Sequence, residues 1–469
     1  MQFDHAAWER SDEIFDTWKA KLVKVETLRE LGHFISKHRG GVAEELCKPE
    51  RGAYNVTIRM LFRDGGAAIM RIPCPGVHMF PEEKVRNEVA VMRYLAEHTT
   101  IPISFVLHHG TAEECPLNLG PFIIMEYVKN AQTLSCALNL PGLAKEERPI
   151  LHPGIDEQKL AFIYEQVADI MVQLSNLRFE KIGTPLEVEP DVWAVTERPL
   201  MWDMNELVQL ANCPRSELLS TTFNTSSDFY SAVADMKVIH LDMQHNDAIE
   251  SEEDCRRKYI GRHLFRKLAR EKRLHDPRYA NGPFRFWCDD FRPGNILVDE
   301  DCRIVSVIDC AWSYTAHAEF AYNPPWWLLL ETPEYWLPGI KDWTQVYEGR
   351  LNTFLRVLAE REHLAVERGR LEPQHAVLAN RMRENWESGQ FWIDDAVRRS
   401  WAFDAVFWTY IDPNLFGGNG LDDQYEDRLM LLDKEEREGI DEFVRRKVEE
   451  GKERKLRDWD SEPCLKRME

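Results

Sequence analysis

Three polar side chains frame one short apolar stretch. Asp290, Asn295 and Asp309 stand around residues 296–298 and 304–308, two apolar runs joined by the acidic turn Asp299-Glu300-Asp301. Runs of that length around a polar turn predict an antiparallel hairpin. Its open end brings together the residue before the first strand and the residue after the second. Those residues are Asn295 and Asp309. An amide oxygen and a carboxylate meeting there can hold a hard cation such as magnesium. Asp290 lies five positions before Asn295, on a loop broken by Pro293 and Gly294. A carboxylate so placed can accept the proton of an attacking hydroxyl.

A second signal comes from residues 82–98, which carry a helical pattern. At 100° per residue Val85, Val89, Met92, Leu95 and Ala96 share a face, and Glu83, Arg86, Arg93 and Glu97 point away from it. Glu88 falls on the apolar face. A carboxylate turned inward without a partner is costly, so it requires a cation. Arg71, on the strand before the helix, is the natural one. The pair either anchors phosphates or is a structural ion pair alone.

Weaker signals follow. Residues 122–128 form an apolar strand that turns polar at Lys129-Asn130. Gly52, between Arg51 and Ala53, marks either a phosphate-covering turn or an ordinary one. His240 and His245, with Asp242 and Asp247, fit no standard ligand spacing and are expected on a polar surface loop. Pro324-Pro325-Trp326-Trp327 is expected to begin a helix and to pack its aromatics below the hairpin.

These residues need elements to position them. Residues 5–38 show helical spacing of Trp8, Ile14, Phe15, Trp18 and Leu22. Val56, Ile58, Met60 and Phe62 alternate along a strand that turns at Asp64-Gly65-Gly66 into a second strand at 67–72. Further strands are expected at 104–109 and 122–128. From residue 157 onward helical patterns dominate, at 160–177, 255–271, 342–360 and 375–387. Residues 213–254 are polar and rich in Ser, Thr and Asp, which suggests an insertion or connecting region. Residues 433–469 carry the stripe Ile440, Phe443, Val444 and Val448, which predicts a docked helix and then a frayed tail.

The expected fold is therefore α+β. It has a helical extension at 1–39, a small antiparallel-sheet lobe with one key helix at 40–130, a larger mainly helical lobe at 131–432, and a charged segment at 433–469.

The 469 residues carry a net charge of -21. That field repels nucleic acids and anionic membranes, and no basic stripe offsets it, so neither is an expected partner. No apolar run approaches the roughly 18 residues of a membrane span. The ten cysteines, scattered from Cys47 to Cys464, include no CxxC pair. That argues against structural zinc and suits a reducing compartment. The first residues lack a basic-then-apolar leader, so a cytoplasmic location is expected.

With those residues in hand, the chain resembles the aminoglycoside phosphotransferase family, above all its fungal branch. The resemblance runs from about residue 40 to 335. The family's His-Gly-Asp triplet falls on Cys288-Asp289-Asp290, keeping the aspartate while the first two residues differ. The resemblance implies a bilobal protein-kinase-like fold that uses ATP and Mg2+ to phosphorylate a hydroxyl of a small-molecule acceptor. It implies Asp290 as base and Asn295 and Asp309 as magnesium ligands. It places Arg71 where a lysine usually steadies phosphates, with Glu88 as its partner. Glu126 and Val128 would meet the adenine through their backbone, and Gly52 would lie over the phosphates. The rival expectation is a pseudokinase, a nucleotide- or partner-binding scaffold without turnover, motivated by Arg71 and the single glycine. A protein kinase is disfavoured, because no long activation segment separates Asp309 from Pro324.

Overall fold

A computed structural model describes residues 1–144, 147–417 and 425–457. Cys464 and the tail expected after residue 457 lie outside the described residues.

Alternation makes the first sheet. Along β3 (Asn55–Phe62) every second side chain is fully buried, as one apolar face requires. At the turn Gly65 takes φ +83°, and Asp64 Oδ1 accepts the Gly66 N–H at 2.9 Å. The chain then returns as β4 (Ala67–Pro73), with Thr57 opposite Arg71. With β1 (Ala43–Leu46), β2 (Glu50–Arg51), β5 (Val106–Gly110) and β6 (Phe122–Glu126), the antiparallel order is β1-β3-β4-β6-β5, and β2 pairs with β3.

Helices cover both faces of this sheet. The predicted single stretch at 5–38 is two helices, α1 (His5–Leu22) and α2 (Val25–Arg39). Phe15, Trp18, Leu31 and Ile35 pack on Ile58, Met60 and Met70. Trp8 and Ile14, expected on the same stripe, are exposed. On the other face α3 (Pro81–His98) packs Val85, Val89, Met92 and Leu95 against Ile123 and Met125. Ala96, expected on that face, is exposed.

After β6 the chain enters the larger, mainly helical part. β7 (Gln132–Thr133) and α4 (Leu134–Leu138) lead to α5 (Glu157–Asn176). β8 (Arg178–Phe179) and the hairpin β9 (Thr184–Glu189) and β10 (Val192–Glu197) follow, then α6 (Trp202–Ala211), α7 (Ser226–Met243) and α8 (Glu252–Arg270). β11 (Phe284–Cys288) precedes the paired strands β12 (Ile296–Val298) and β13 (Ile304–Val307). After β14 (Ser313–Ala316) come α9 (Ala318–Ala321), α10 (Ile340–Glu367), α11 (Leu378–Ser388) and α12 (Gln390–Arg398), and a helix at Lys434–Glu450. Ile440 and Val444 of that last helix are buried, whereas Phe443 is half-buried.

The mixed α+β architecture expected from the sequence is the one observed. Among the described residues no helix is long and apolar enough to cross a membrane.

Two expectations are corrected. Residues 213–254 are not a polar connection: α7 runs through their centre and buries Phe229, Tyr230, Val233 and Met236 in the largest core. His240 and His245 accordingly are not on a surface loop. His240 is fully buried on α7, hydrogen-bonded to Gln244 at 3.0 Å, and His245 is buried beside Asn246. Among the described residues no group of three or more His, Cys, Asp or Glu has metal-holding geometry. Polar letters hid the start of this helix, because Thr225, Ser226, Ser227 and Asp228 cluster at its capped N-terminus, where the Thr225 side chain accepts from the Asp228 N–H.

Candidate active site

Hairpin pairing sets the centre of the site. Ile296 faces Val307, and the Ile308 N–H donates to the Asn295 carbonyl at 2.9 Å. The open end therefore carries Asn295 on one side and Asp309 on the other. Asp309 takes φ +61°, a left-handed conformation that costs a non-glycine residue of order 1 kcal/mol. A turn of backbone strained in this way holds its carboxylate in one direction.

Asp290 reaches the same place from the loop after β11. Asn295 Nδ2 donates to Asp290 Oδ2 at 2.8 Å and to its carbonyl oxygen at 2.9 Å. Arg292 Nε donates to Asp290 Oδ1. Trp327 Nε1 braces the loop from below with a 2.9 Å bond to the Phe291 carbonyl. Trp327 belongs to a single 3-10 turn at Trp326–Leu329 rather than the start of a longer helix. Asp290 is buried, and burial lifts its carboxyl to about 6, against the pull of Arg292 and with a further push from Asp309.

The second half of the site descends from α3. Glu88 is fully buried, and its Oε1 accepts from Arg71 Nη1 at 2.9 Å. The other terminal nitrogen of Arg71 lies 2.9 Å from Asp309 Oδ1. One guanidinium thus joins helix α3 to the end of the β12–β13 hairpin. Burial alone would raise the Asp309 carboxyl, but Arg71 and then Lys84 outweigh it and hold it below the ordinary range. Arg71 in turn is held charged by Glu88 and Asp309 despite its burial.

Lys84 is the residue that periodicity missed. It is almost fully buried, with Nζ 2.6 Å from Glu88 Oε2 and 3.0 Å from Asn55 Oδ1. Its place four residues before Glu88 was the available signal. Arg292 was missed too, although it lies only two residues beyond Asp290.

Gly52 sits in the turn between β2 and β3, where its N–H donates to the Asn55 carbonyl at 2.8 Å. It has no left-handed φ, and a methyl group there would meet only Asn55 O at 3.4 Å. The turn therefore does not require glycine. Tyr54 from the same turn is half-buried, and its hydroxyl accepts from Trp202 Nε1 of α6 at 2.6 Å. Tyr54 also packs edge-on against Trp312, on which His78 stacks at 4.8 Å.

Glu126 and Val128 lie apart from these carboxylates, where β6 leaves the sheet. The Glu126 N–H donates to Phe105 O at 3.0 Å, and the Val128 carbonyl accepts from Asn130 Nδ2 at 2.9 Å. Among the described residues the Val128 N–H has no partner.

The donor set suits a hard cation. Asn295 spends its NH2 on Asp290, which leaves its oxygen free for a cation, and Asp309 adds a carboxylate. Two such ligands are what magnesium takes from a protein when phosphates and water supply the rest.

No family model matches this chain, and no curated protein matches it. Solved structures do. The APH(2")-IIa ternary complex with streptomycin and ATP aligns at TM-score 0.42 and 13% identity, over 82% of this chain and 98% of its own. A Plasmodium vivax ethanolamine kinase aligns at 0.43 and 12%, over 90% and 93%. A macrolide 2'-phosphotransferase type I aligns at 0.41 and 12%, over 87% and 98%.

Proposed function

We propose that this chain is an ATP-dependent phosphotransferase, on a protein-kinase-like frame, that moves the γ-phosphoryl group onto a hydroxyl of a small molecule. The observation that carries the reading is the convergence of Asp290, Asn295 and Asp309 at the mouth of hairpin β12–β13, with the buried Arg71–Glu88 pair directly attached.

In this reading Asp290 accepts the acceptor's hydroxyl proton as that oxygen forms a bond to the γ-phosphorus. The bond from the γ-phosphorus to the β,γ-bridging oxygen breaks, and ADP leaves. With a carboxyl near 6, Asp290 is ionised at neutral pH and close enough in basicity to take a proton. Arg71, fixed by Glu88, and Arg292 place two guanidiniums where phosphate charge must be balanced. Asn295 and Asp309 would hold Mg2+, which when bound neutralises phosphate charge. The Val128 N–H and the Glu126 carbonyl are the backbone groups offered to the adenine edge.

The test begins with a screen of hydroxylated and amine-bearing metabolites for stimulated ATP consumption. With an acceptor in hand, Asp290→Asn should lower turnover about a hundredfold or more, the usual contribution of a positioned base. Near-wild-type turnover would remove Asp290 from that role.

One observation favours a second reading, a nucleotide-binding scaffold without turnover. Both functional carboxylates already face a guanidinium, Asp309 that of Arg71 and Asp290 that of Arg292. A thermal shift with ATP and Mg2+, unaccompanied by ATP consumption with any acceptor, supports the scaffold.

A further inference from the structure

The loop at 74–79, between β4 and α3, is held by its neighbours. Ser11 Oγ of α1 donates to the Gly76 carbonyl at 2.5 Å. Asn205 of α6 accepts from the Met79 N–H at 2.8 Å and donates to the Val77 carbonyl at 3.0 Å. Arg215 Nε donates to the Met79 carbonyl at 3.1 Å. His78, in the middle of these bonds, is 3% exposed, yet among the described residues neither of its ring nitrogens has a hydrogen-bond partner. Its ring stacks on Trp312, 4.8 Å centre to centre. Burial, then the charge of Lys84, keeps its pKa well below the ordinary 6.5, so the neutral ring carries one N–H to donate. A buried donor on a braced loop that finds no acceptor in the protein is poised for one from outside it.

His78 lines an open space of about 300 Å³ between that loop, α1 and α6, about twice the roughly 150 Å³ of a cavity that accepts benzene. Among the described residues three guanidiniums border it, those of Arg10, Arg215 and Arg457, with the amides of Gln209 and Asn212, and no carboxylate does. Arg10, exposed at the rim, makes no hydrogen bond or ion pair among the described residues. Arg457 keeps a 3.1 Å contact with Glu450, which does not line the space. Asp203, Asp242 and Glu217 act on the wall residue Cys213, but Asp203 is paired with Lys237 and Asp242 with Arg446. The lining is therefore positive in a chain whose net charge is -21. Guanidinium forks match phosphate oxygens bidentately, and a phosphate dianion has oxygens for more than one fork, whereas a carboxylate serves one.

We propose that this space is a binding site for a phosphate monoester, its phosphate met by Arg10 and His78 with Arg215 and Arg457 adding charge, and its organic part lodged against Gln209 and Asn212. None of Arg71, Glu88, Asp290, Asn295 or Asp309 lines it, so it is separate from the proposed nucleotide site and does not depend on phosphotransfer. It has a route to that site all the same. Trp312, on which His78 stacks, accepts the Asp289 N–H through its carbonyl at 2.9 Å, one residue before Asp290.

The test uses the full chain, with glycerol 3-phosphate and uncharged glycerol as probes, followed by isothermal titration calorimetry. The ester should bind saturably and glycerol should not, and the ester should still bind with ATP and Mg2+ present. Arg10→Gln, at an exposed position, should weaken the ester about tenfold, the scale of a charge-assisted contact. His78→Phe keeps the stack on Trp312 but removes the N–H, and should weaken the ester about fivefold. No saturable binding of the ester, comparable binding of glycerol, displacement of the ester by ATP with Mg2+, or an affinity unchanged in either variant would overturn the proposal. If His78→Phe fails to fold by circular dichroism, Arg10→Gln alone decides.

Discussion

The buried Arg71 and the half-buried Asp309 form an ion pair, with 2.9 Å between guanidinium nitrogen and carboxylate oxygen. The same guanidinium is held 2.9 Å from Glu88 on its other side. The sheet, helix α3 and the hairpin therefore meet in one chain of charge, Lys84 and Arg71 against Glu88 and Asp309. Removing one member of such a buried set leaves the others uncompensated. Glu88→Gln should cost about 3–5 kcal/mol of unfolding free energy, measured by urea denaturation. A loss below about 1 kcal/mol, the scale of an exposed pair, would show that the charges are not closed off from water.

The pH dependence of Asp290 follows from its burial. Its carboxyl titrates near 6 in the folded chain, above the ordinary value of 3.8. The native state therefore binds a proton that the unfolded chain does not between those two values. This group's penalty is fully present above about 6 and is relieved as pH falls toward 4. Activity runs the other way, because a base must be ionised. The acid limb of kcat/KM should show an apparent pKa near 6. Arg292 pulls this carboxyl down, so Arg292→Gln should move the limb to higher pH. A limb that stays in place would mean that another group sets it.

The turn that carries Gly52 is tied to the helical part by the Trp202–Tyr54 hydrogen bond, 2.6 Å long. Tyr54→Phe leaves the indole N–H without its acceptor in a half-buried position. The expected cost is about 1–3 kcal/mol, read by chemical denaturation with tryptophan fluorescence. Trp202→Phe in the same background should then add little through this contact, because the bond is already gone. Additive losses would show that the two residues are energetically independent.

The legible parts of this chain were those where one local rule decided the outcome. Alternation at Val56, Ile58, Met60 and Phe62 gave the strand, and the turn residues Asp64-Gly65-Gly66 gave its partner. Spacing around two apolar runs placed Asn295 and Asp309 at one hairpin mouth. A helical wheel found Glu88, because an acid on an apolar stripe is conspicuous. It passed over Lys84, because a lysine beside that stripe reads as solvated until its neighbours Asn55 and Glu88 are known. Helix α7 was illegible for a related reason. Its polar face meets partners distant in sequence, such as Lys237 with Asp203 at 2.8 Å and Tyr230 with Asp394 at 2.6 Å. Polar letters satisfied by long-range pairs look like loop until the fold supplies the partners.

The metal reading has its own test, independent of any acceptor. Asp309 and Asn295 are the proposed magnesium ligands, so ATP should stabilise the wild-type chain more with Mg2+ than without it. A ligand at a hundred times its Kd adds about 2.7 kcal/mol, several degrees in a thermal scan. Asp309→Asn keeps the shape of the side chain but removes the formal charge that the pair offers, since Asn295 is neutral. It also releases Arg71 to Glu88 alone, so each variant must be compared with its own nucleotide-free baseline. The Mg2+-dependent increment should vanish in Asp309→Asn and shrink in Asn295→Ala, while the increment from ATP alone persists, because Arg71 remains to meet phosphate. An increment from Mg2+ that is untouched in both variants would place the cation elsewhere. The hairpin mouth would then be a structural junction, with Arg71 as its rivet.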